Sequence, residues 1–208
     1  MALNLYAISI IDKPIIFDER RIDLTQKYIQ KRYALNVEDI KITPRIIVIH
    51  WTTMNDLNRS IQCFKEPTLA TNRPDIEHAS ALNVSAHFLI DRDGCIYKLM
   101  DETLMARHII GLNYSSIGIE NVGGEKSMDN LTSAQLEANI ELVSYLKEKY
   151  STIKYLIGHH EYTDFTDHHL WLEKDSSYRT LKYDPGDTFM HKLRKKFPEL
   201  KSAAEVRP

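Results

Sequence analysis

The chain has 208 residues, 43% of them hydrophobic and 27% charged, with a formal net charge of −2. That length can bury one substantial core, and the charge balance excludes a general nucleic-acid binder, which would carry a basic face. No apolar run approaches the ~18–20 residues that cross a bilayer.

Residues 1–11 are apolar but have no basic start and no clear small-residue cleavage site. They read poorly as a signal peptide and leave the compartment open. Residues 1–43 read as an N-terminal extension that packs on the core. Within it Pro14-Ile15-Ile16-Phe17 is extended in character, and Leu24, Tyr28 and Ile29 fall at helical spacing over 22–33.

The main domain spans residues 44–198. After Pro44, the β-favouring run Ile46-Ile47-Val48-Ile49 reads as a strand buried on both faces, with His50 at its carboxyl end. Residues 55–65 place Leu57, Ile61 and Phe64 on one helical face, and a polar stretch with Asn72 and Pro74 leads to Val84. Two strand-like runs, 86–91 and 95–100, flank Arg92-Asp93-Gly94, a hairpin signal. Residues 116–122 read as another strand, closed by Gly123-Gly124.

Thr132 and Gln135 fit a capping box, and Leu131 can staple onto Leu136. Behind them Leu136, Ile140, Val143 and Leu146 mark the buried face of a helix. A strand over 153–157 runs into Gly158-His159-His160. Asp184-Pro185-Gly186 then opens a last helix, with Phe189, Leu193 and Phe197 on its buried side. Residues 199–208 form a tail. Strands interspersed with helices imply a single α/β domain with a central mixed β-sheet flanked by helices.

Two features bear on chemistry. Cys63 and Cys95 are the two cysteines of the chain, and could pair or stand apart as thiols. Among nine histidines, His50 and His159 each end a strand, where side chains converge on one cleft. With Asp184 they would make a zinc set of two imidazoles and a carboxylate with one open position. By spacing alone this is weak, because histidines far apart in sequence are more often unrelated. Taken singly, Glu120 could face solvent or pair with a lysine, and Lys182 reads as a surface lysine.

The stretch from His50 to Phe189 nevertheless resembles the type 2 N-acetylmuramoyl-L-alanine amidases, the superfamily that includes the peptidoglycan recognition proteins. The blocks that carry the resemblance are Val48-Ile49-His50-Trp51-Thr52, residues 84–94, Ser116-Ile117-Gly118-Ile119-Glu120, Gly158-His159 and residues 182–189. They come in the family's order. The resemblance implies hydrolysis of the amide between N-acetylmuramic acid and L-alanine, with one zinc ion held by His50, His159 and Asp184. It implies Glu120 as the acidic residue that orients water and takes its proton. Lys182 would stabilise the oxyanion, and His108 and Asn113 would line the substrate cleft. The partner it implies is peptidoglycan or muropeptide, and the setting is the cell envelope, with cytoplasmic recycling as the other possibility. A monomer is expected. The competing reading is a non-catalytic peptidoglycan-binding module of the same fold.

Three places depart from the family pattern. His159-His160 leaves two candidates for the second ligand, and the glycine–histidine spacing favours His159. The segment after His159 is long, with an excess over 163–178 that holds His168, His169 and Trp171. It forms either a wall of the cleft or a surface excursion anchored by Trp171 and Leu172; a second metal site at His168-His169 is a further alternative. Arg107 stands where the family often has tryptophan, and could meet a stem-peptide carboxylate by a bidentate contact.

Overall fold

The apolar run after Pro44 lies inside a six-stranded sheet in the computed structural model, which describes residues 8–71, 73–125 and 130–206. The strands among these residues are β1 (Ile10–Asp12), β2 (Ile46–Trp51), β3 (Phe88–Ile90), β4 (Ile96–Lys98), β5 (Ser116–Asn121) and β6 (Tyr155–Gly158). Their spatial order is β1-β4-β3-β5-β2-β6. Only β3 and β4 pair antiparallel, across the expected hairpin; the other pairings are parallel. Gly94 carries a φ of 91° in that hairpin, a conformation that favours glycine. The sheet is therefore mixed, as the alternation of elements implied.

Every residue of β2 is buried, because helices and loops cover both faces of the sheet. Side chains alternate along a strand, so Ile47 and Ile49 turn to one face with Ile117, Ile119 and Leu156. That face is covered by α4 (Ser133–Lys149) and α5 (Asp187–Arg194), through Leu142, Val143, Leu146, Phe189, Met190 and Leu193. Ile46, Val48 and Ile157 turn the other way, onto Ile109, Ile110, Leu112 and Phe165. Helices α1 (Glu19–Tyr33), α2 (Leu57–Lys65) and the single turn α3 (Pro74–Glu77) complete the set.

The capping box at Thr132 forms with both halves, Gln135 N donating to Thr132 Oγ1 and Thr132 N to Gln135 Oε1, each at 3.0 Å. The buried face of α4 differs from the expected line. Leu136 and Ile140 are only partly buried, whereas Gln135 and Asn139 are fully buried. Gln135 Nε2 donates to the carbonyls of Ile90 and Val122, and Asn139 Nδ2 to Asn121 Oδ1. The start of α4 crosses the ends of β3 and β5, where the Ile90 and Val122 carbonyls and the Asn121 side chain offer acceptors, and amides serve there better than leucine. The last helix also begins later than expected, at Asp187 with Gly186 as N-cap. Phe197 lies past its end but still joins the core.

The N-terminal extension is part of the sheet. Its β1 adds to β4 in parallel, a strand the sequence reading did not anticipate. Arg21 of α1 is 1% exposed and donates to the carbonyls of Phe64, Lys65 and Glu66 at the end of α2. At the other terminus, Lys201 accepts from Leu156 N at 3.0 Å, and Ala203 is buried. Residues 1–7 of the extension, Asn72, and residues 207–208 of the tail lie outside the described residues. Cys63 and Cys95 are both free thiols.

Candidate metal centre

Register builds the site. Parallel pairing sets His50 of β2 directly beside Glu120 of β5. On the other side Ile49 pairs with Gly158, so His159, one residue further on, emerges next to His50. Adjacent parallel strands thus deliver three polar side chains to one edge of the sheet. Asp184 reaches the same point from the loop before α5. Its carbonyl accepts from His160 N at 3.0 Å and bonds His160 Nδ1 at 2.8 Å. The adjacent histidines therefore divide the work: His159 joins the cluster, and His160 clamps the Asp184 backbone.

His50 Nδ1 lies 2.9 Å from His159 Nδ1 and 3.1 Å from Asp184 Oδ2, which is 2.9 Å from His159 Nδ1. Three atoms in such a triangle cannot all be joined by straight hydrogen bonds. They suit a central cation: a tetrahedral zinc with donors at ~2.0–2.1 Å would hold them ~3.3 Å apart. All three residues are buried. Burial and the neighbouring His159 push His50 down to about 4, so its lone pairs stay available. Burial alone would raise the Asp184 carboxyl, but His159 and His50 outweigh it and hold it well below the usual carboxylate range. The donor set and its geometry fit one metal ion.

Glu120 is 9% exposed, and its Oε2 has no hydrogen-bond partner among the described residues. Burial, then the negative field of Asp184, pushes its carboxyl up to about 8, against the pull of Lys182 and Arg73. Glu120, Lys182 and Arg73 line a cavity of about 470 Å³ that also exposes His50, His159 and Asp184. An unpaired buried carboxyl beside a candidate metal centre is a group poised to exchange a proton.

The other expected substrate residues have different surroundings. His108 lies against the sheet over Gly118, where a Cβ would come within 2.8 Å of its ring. Its Nδ1 is 2.9 Å from His50 Nε2. Burial and the imidazoles of His50 and His87 push it well below its usual value. Asn113 and Arg107, also expected to meet substrate, both border the cavity and are both engaged with groups of the protein itself. Asn113 is fully buried: Oδ1 accepts from His108 N and Ile109 N, and Nδ2 donates to the hydroxyls of Tyr28 and Tyr33. Arg107 borders the cavity, but its terminal nitrogens donate to the carbonyls of Ser80, Leu82 and Ile76 and bond the Tyr178 hydroxyl. His87 binds within its own hairpin region, with Nδ1 accepting from Gly118 N and Nε2 bonding Leu104 O.

In the long segment, Trp171 packs on Gly111 and stacks on Tyr162 at 6.1 Å, while Tyr178 and Thr180 line the cavity. Trp171 thus anchors the segment, and its last residue, Tyr178, borders the cavity. His168 bonds the Tyr155 hydroxyl at 3.2 Å, and the His50–His159–Asp184 set is the metal-capable group found among the described residues. Sequence reasoning missed Arg73, Ser116 and the two tyrosines. Helical spacing marked Tyr28 as core-facing, but nothing local signals where a hydroxyl will point.

Comparison with known proteins supports this geometry. Residues 41–187 match the family described as N-acetylmuramoyl-L-alanine amidase. The endolysin of Klebsiella phage KP32 is 36% identical over 84 residues, 38% of this chain and 55% of the endolysin. That of Escherichia phage T7 is 38% identical over the same shares. The chain thus spans about half the length of the curated relatives it matches. Among solved structures, the amidase LysC from Clostridium intestinale superposes with a TM-score of 0.54 at 21% identity, covering 93% of this chain and 99% of that one. A selenomethionine derivative of AmpD gives 0.55 at 21% identity over 89% and 93%. These likenesses establish a shared fold.

Proposed function

The chain belongs to the N-acetylmuramoyl-L-alanine amidase family, and on that premise we propose that it hydrolyses the amide between N-acetylmuramic acid and L-alanine in peptidoglycan or muropeptides. The ion we assign to His50, His159 and Asp184 is zinc. The observation that carries the reading is Glu120, a buried carboxyl with an unpaired oxygen, in register beside His50. A module that only bound peptidoglycan would have no need to bury such a group. When bound, zinc supplies a Lewis acid that polarises the amide carbonyl and acidifies water.

The protein's own residues do the rest. Glu120 receives the proton of the attacking water and returns it to the departing amide nitrogen of L-alanine. Lys182 sets its ammonium where negative charge grows on the carbonyl oxygen, a stabilisation larger in the transition state than in the ground state. Tyr178 and Thr180 wall the cleft against bulk water. Intact peptidoglycan as substrate would set this work in the cell envelope, and soluble muropeptides would set it in cytoplasmic recycling.

The test is incubation of the purified protein with a muropeptide, with and without chelator, and with zinc restored. The expected product by mass is an intact stem peptide beginning with L-alanine, absent after chelation and regained with zinc. Uncleaved muropeptide that still co-purifies with the zinc-loaded protein would replace the amidase reading with the binding one.

A further inference from the structure

The unused nitrogen of His50 leads to a second chain of groups. His50 Nε2 lies 2.9 Å from His108 Nδ1, and His108 Nε2 lies 3.1 Å from Ser116 Oγ. Ser116 Oγ in turn donates to the Leu112 carbonyl at 2.8 Å. A carbonyl can only accept, and this contact is the shorter of the two at the hydroxyl, so it takes the serine proton. Ser116 Oγ then faces His108 as an acceptor, which puts the His108 proton on Nε2. Among the described residues no carboxylate hydrogen-bonds His108; its buried ring is therefore neutral in this arrangement and accepts at Nδ1. The proton between the rings then belongs to His50 Nε2, where His108 Nδ1 at 2.9 Å competes for it with the Asp184 carboxylate at 3.1 Å from His50 Nδ1.

We propose that His108 and Ser116 are positioning residues that hold the His50 proton on Nε2, leaving the Nδ1 lone pair directed at the metal ion. A histidine ligand whose second nitrogen has no fixed partner divides its population between two tautomers, and only one of them can bind. Here the direction is set by a backbone carbonyl three groups away. The chain needs accurate placement, and the fold provides it. Gly118 lets the His108 ring lie flat on β5. Asn113 Oδ1 fixes the His108 amide at 2.8 Å, and Asn121 Nδ2 holds the His50 carbonyl at 3.0 Å. Asn113 is itself bound to Tyr28 and Tyr33 of α1, so the N-terminal extension reaches the centre through this network. The inference rests on the amidase reading only for the presence of an ion.

The experiment uses the full chain without muropeptide. Long-range proton–nitrogen NMR correlations in the metal-free protein assign the tautomers of His50 and His108, and chelator competition gives the zinc dissociation constant. In the wild type both rings are expected to carry the proton on Nε2. Ser116→Ala and His108→Phe should each mix the His50 tautomers and weaken zinc binding by about 10–100-fold, with His108→Gln, which restores an acceptor, recovering part of the loss. A His50 proton found on Nδ1, or wild-type zinc affinity in a folded Ser116→Ala, overturns the proposal. If His108→Phe fails to fold, the wild-type tautomers and Ser116→Ala decide alone. An inactive protein with the expected tautomers would sink the amidase reading and leave this inference standing.

Discussion

The two faces of the sheet are held together by different physics. Beneath α4 and α5, Ile47, Ile49, Ile117 and Ile119 meet a layer made chiefly of leucine, valine and phenylalanine side chains. On the cleft side the same strands present His50 and Glu120, and His50, His108, Asn113 and Arg107 are each tied by directional hydrogen bonds. Apolar burial rewards area and is indifferent to angle, at about 25 cal/mol per Å². A hydrogen-bonded imidazole rewards one orientation and one tautomer. One face therefore supplies stability, the other arranges chemistry, and substitutions on the two should be read by different instruments.

Activity is where the cleft face should respond most. Glu120→Gln is expected to reduce turnover on a muropeptide by about 10²–10⁴-fold, and Lys182→Met by about 10²–10³-fold. Both should keep near wild-type zinc affinity in chelator competition. Turnover retained in both would mean that the cleft chemistry resides elsewhere. On the opposite face, Leu142→Ala should lower unfolding free energy by about 2–5 kcal/mol through cavity formation, measured by denaturant titration. Turnover per folded molecule should stay close to wild type, and a large drop would show the two faces to be coupled.

A pH series sharpens the comparison further. Glu120 is raised to about 8 by burial, then by Asp184, against an unfolded value near 4.3. Between those values the folded state binds more protons, so the contribution of Glu120 to stability is full below the unfolded value and is lost as pH rises through about 8. Metal-free Glu120→Gln, which never ionises there, should gain on the wild type from pH 5 to pH 9. The gain should be on the order of a few kcal/mol, read from thermal midpoints. A gap that stays constant over that range would show Glu120 to be ionised in the folded protein throughout. The mildest change is Tyr33→Phe, which removes one hydroxyl from Asn113 and should cost about 0.5–1.5 kcal/mol. Any weakening of zinc binding in that variant would trace the network from α1 to His50.

Much of the scaffold was readable in advance because its signals are local. Four consecutive β-favouring residues before His50 can only be accommodated in a covered strand, and Thr132 with Gln135 specifies a helix start within four residues. The family's blocks gave the candidate ligands in order. The burial of Gln135 and Asn139 in place of Leu136 and Ile140 was not readable, since it depends on which strand carbonyls lie beneath α4. Nor was the setting of the third candidate ligand: Asp184 suits an N-cap by type, yet the helix starts three residues later and its carboxylate turns to the histidines.

Sequence alone settled the order of elements, the capping of α4 and the strand that ends in His50, because these follow from neighbours along the chain; the candidate metal ligands came only from the family resemblance. Folding settled which of His159 and His160 faces the centre, which groups Arg107 and Asn113 bind, and that Ser116 stands behind His108. Those outcomes depend on register between strands distant in sequence and on hydrogen-bond partners separated by 58 to 134 positions along the chain. Side-chain chemistry is written residue by residue, whereas the direction of a proton between two imidazoles exists only once both rings have been brought together.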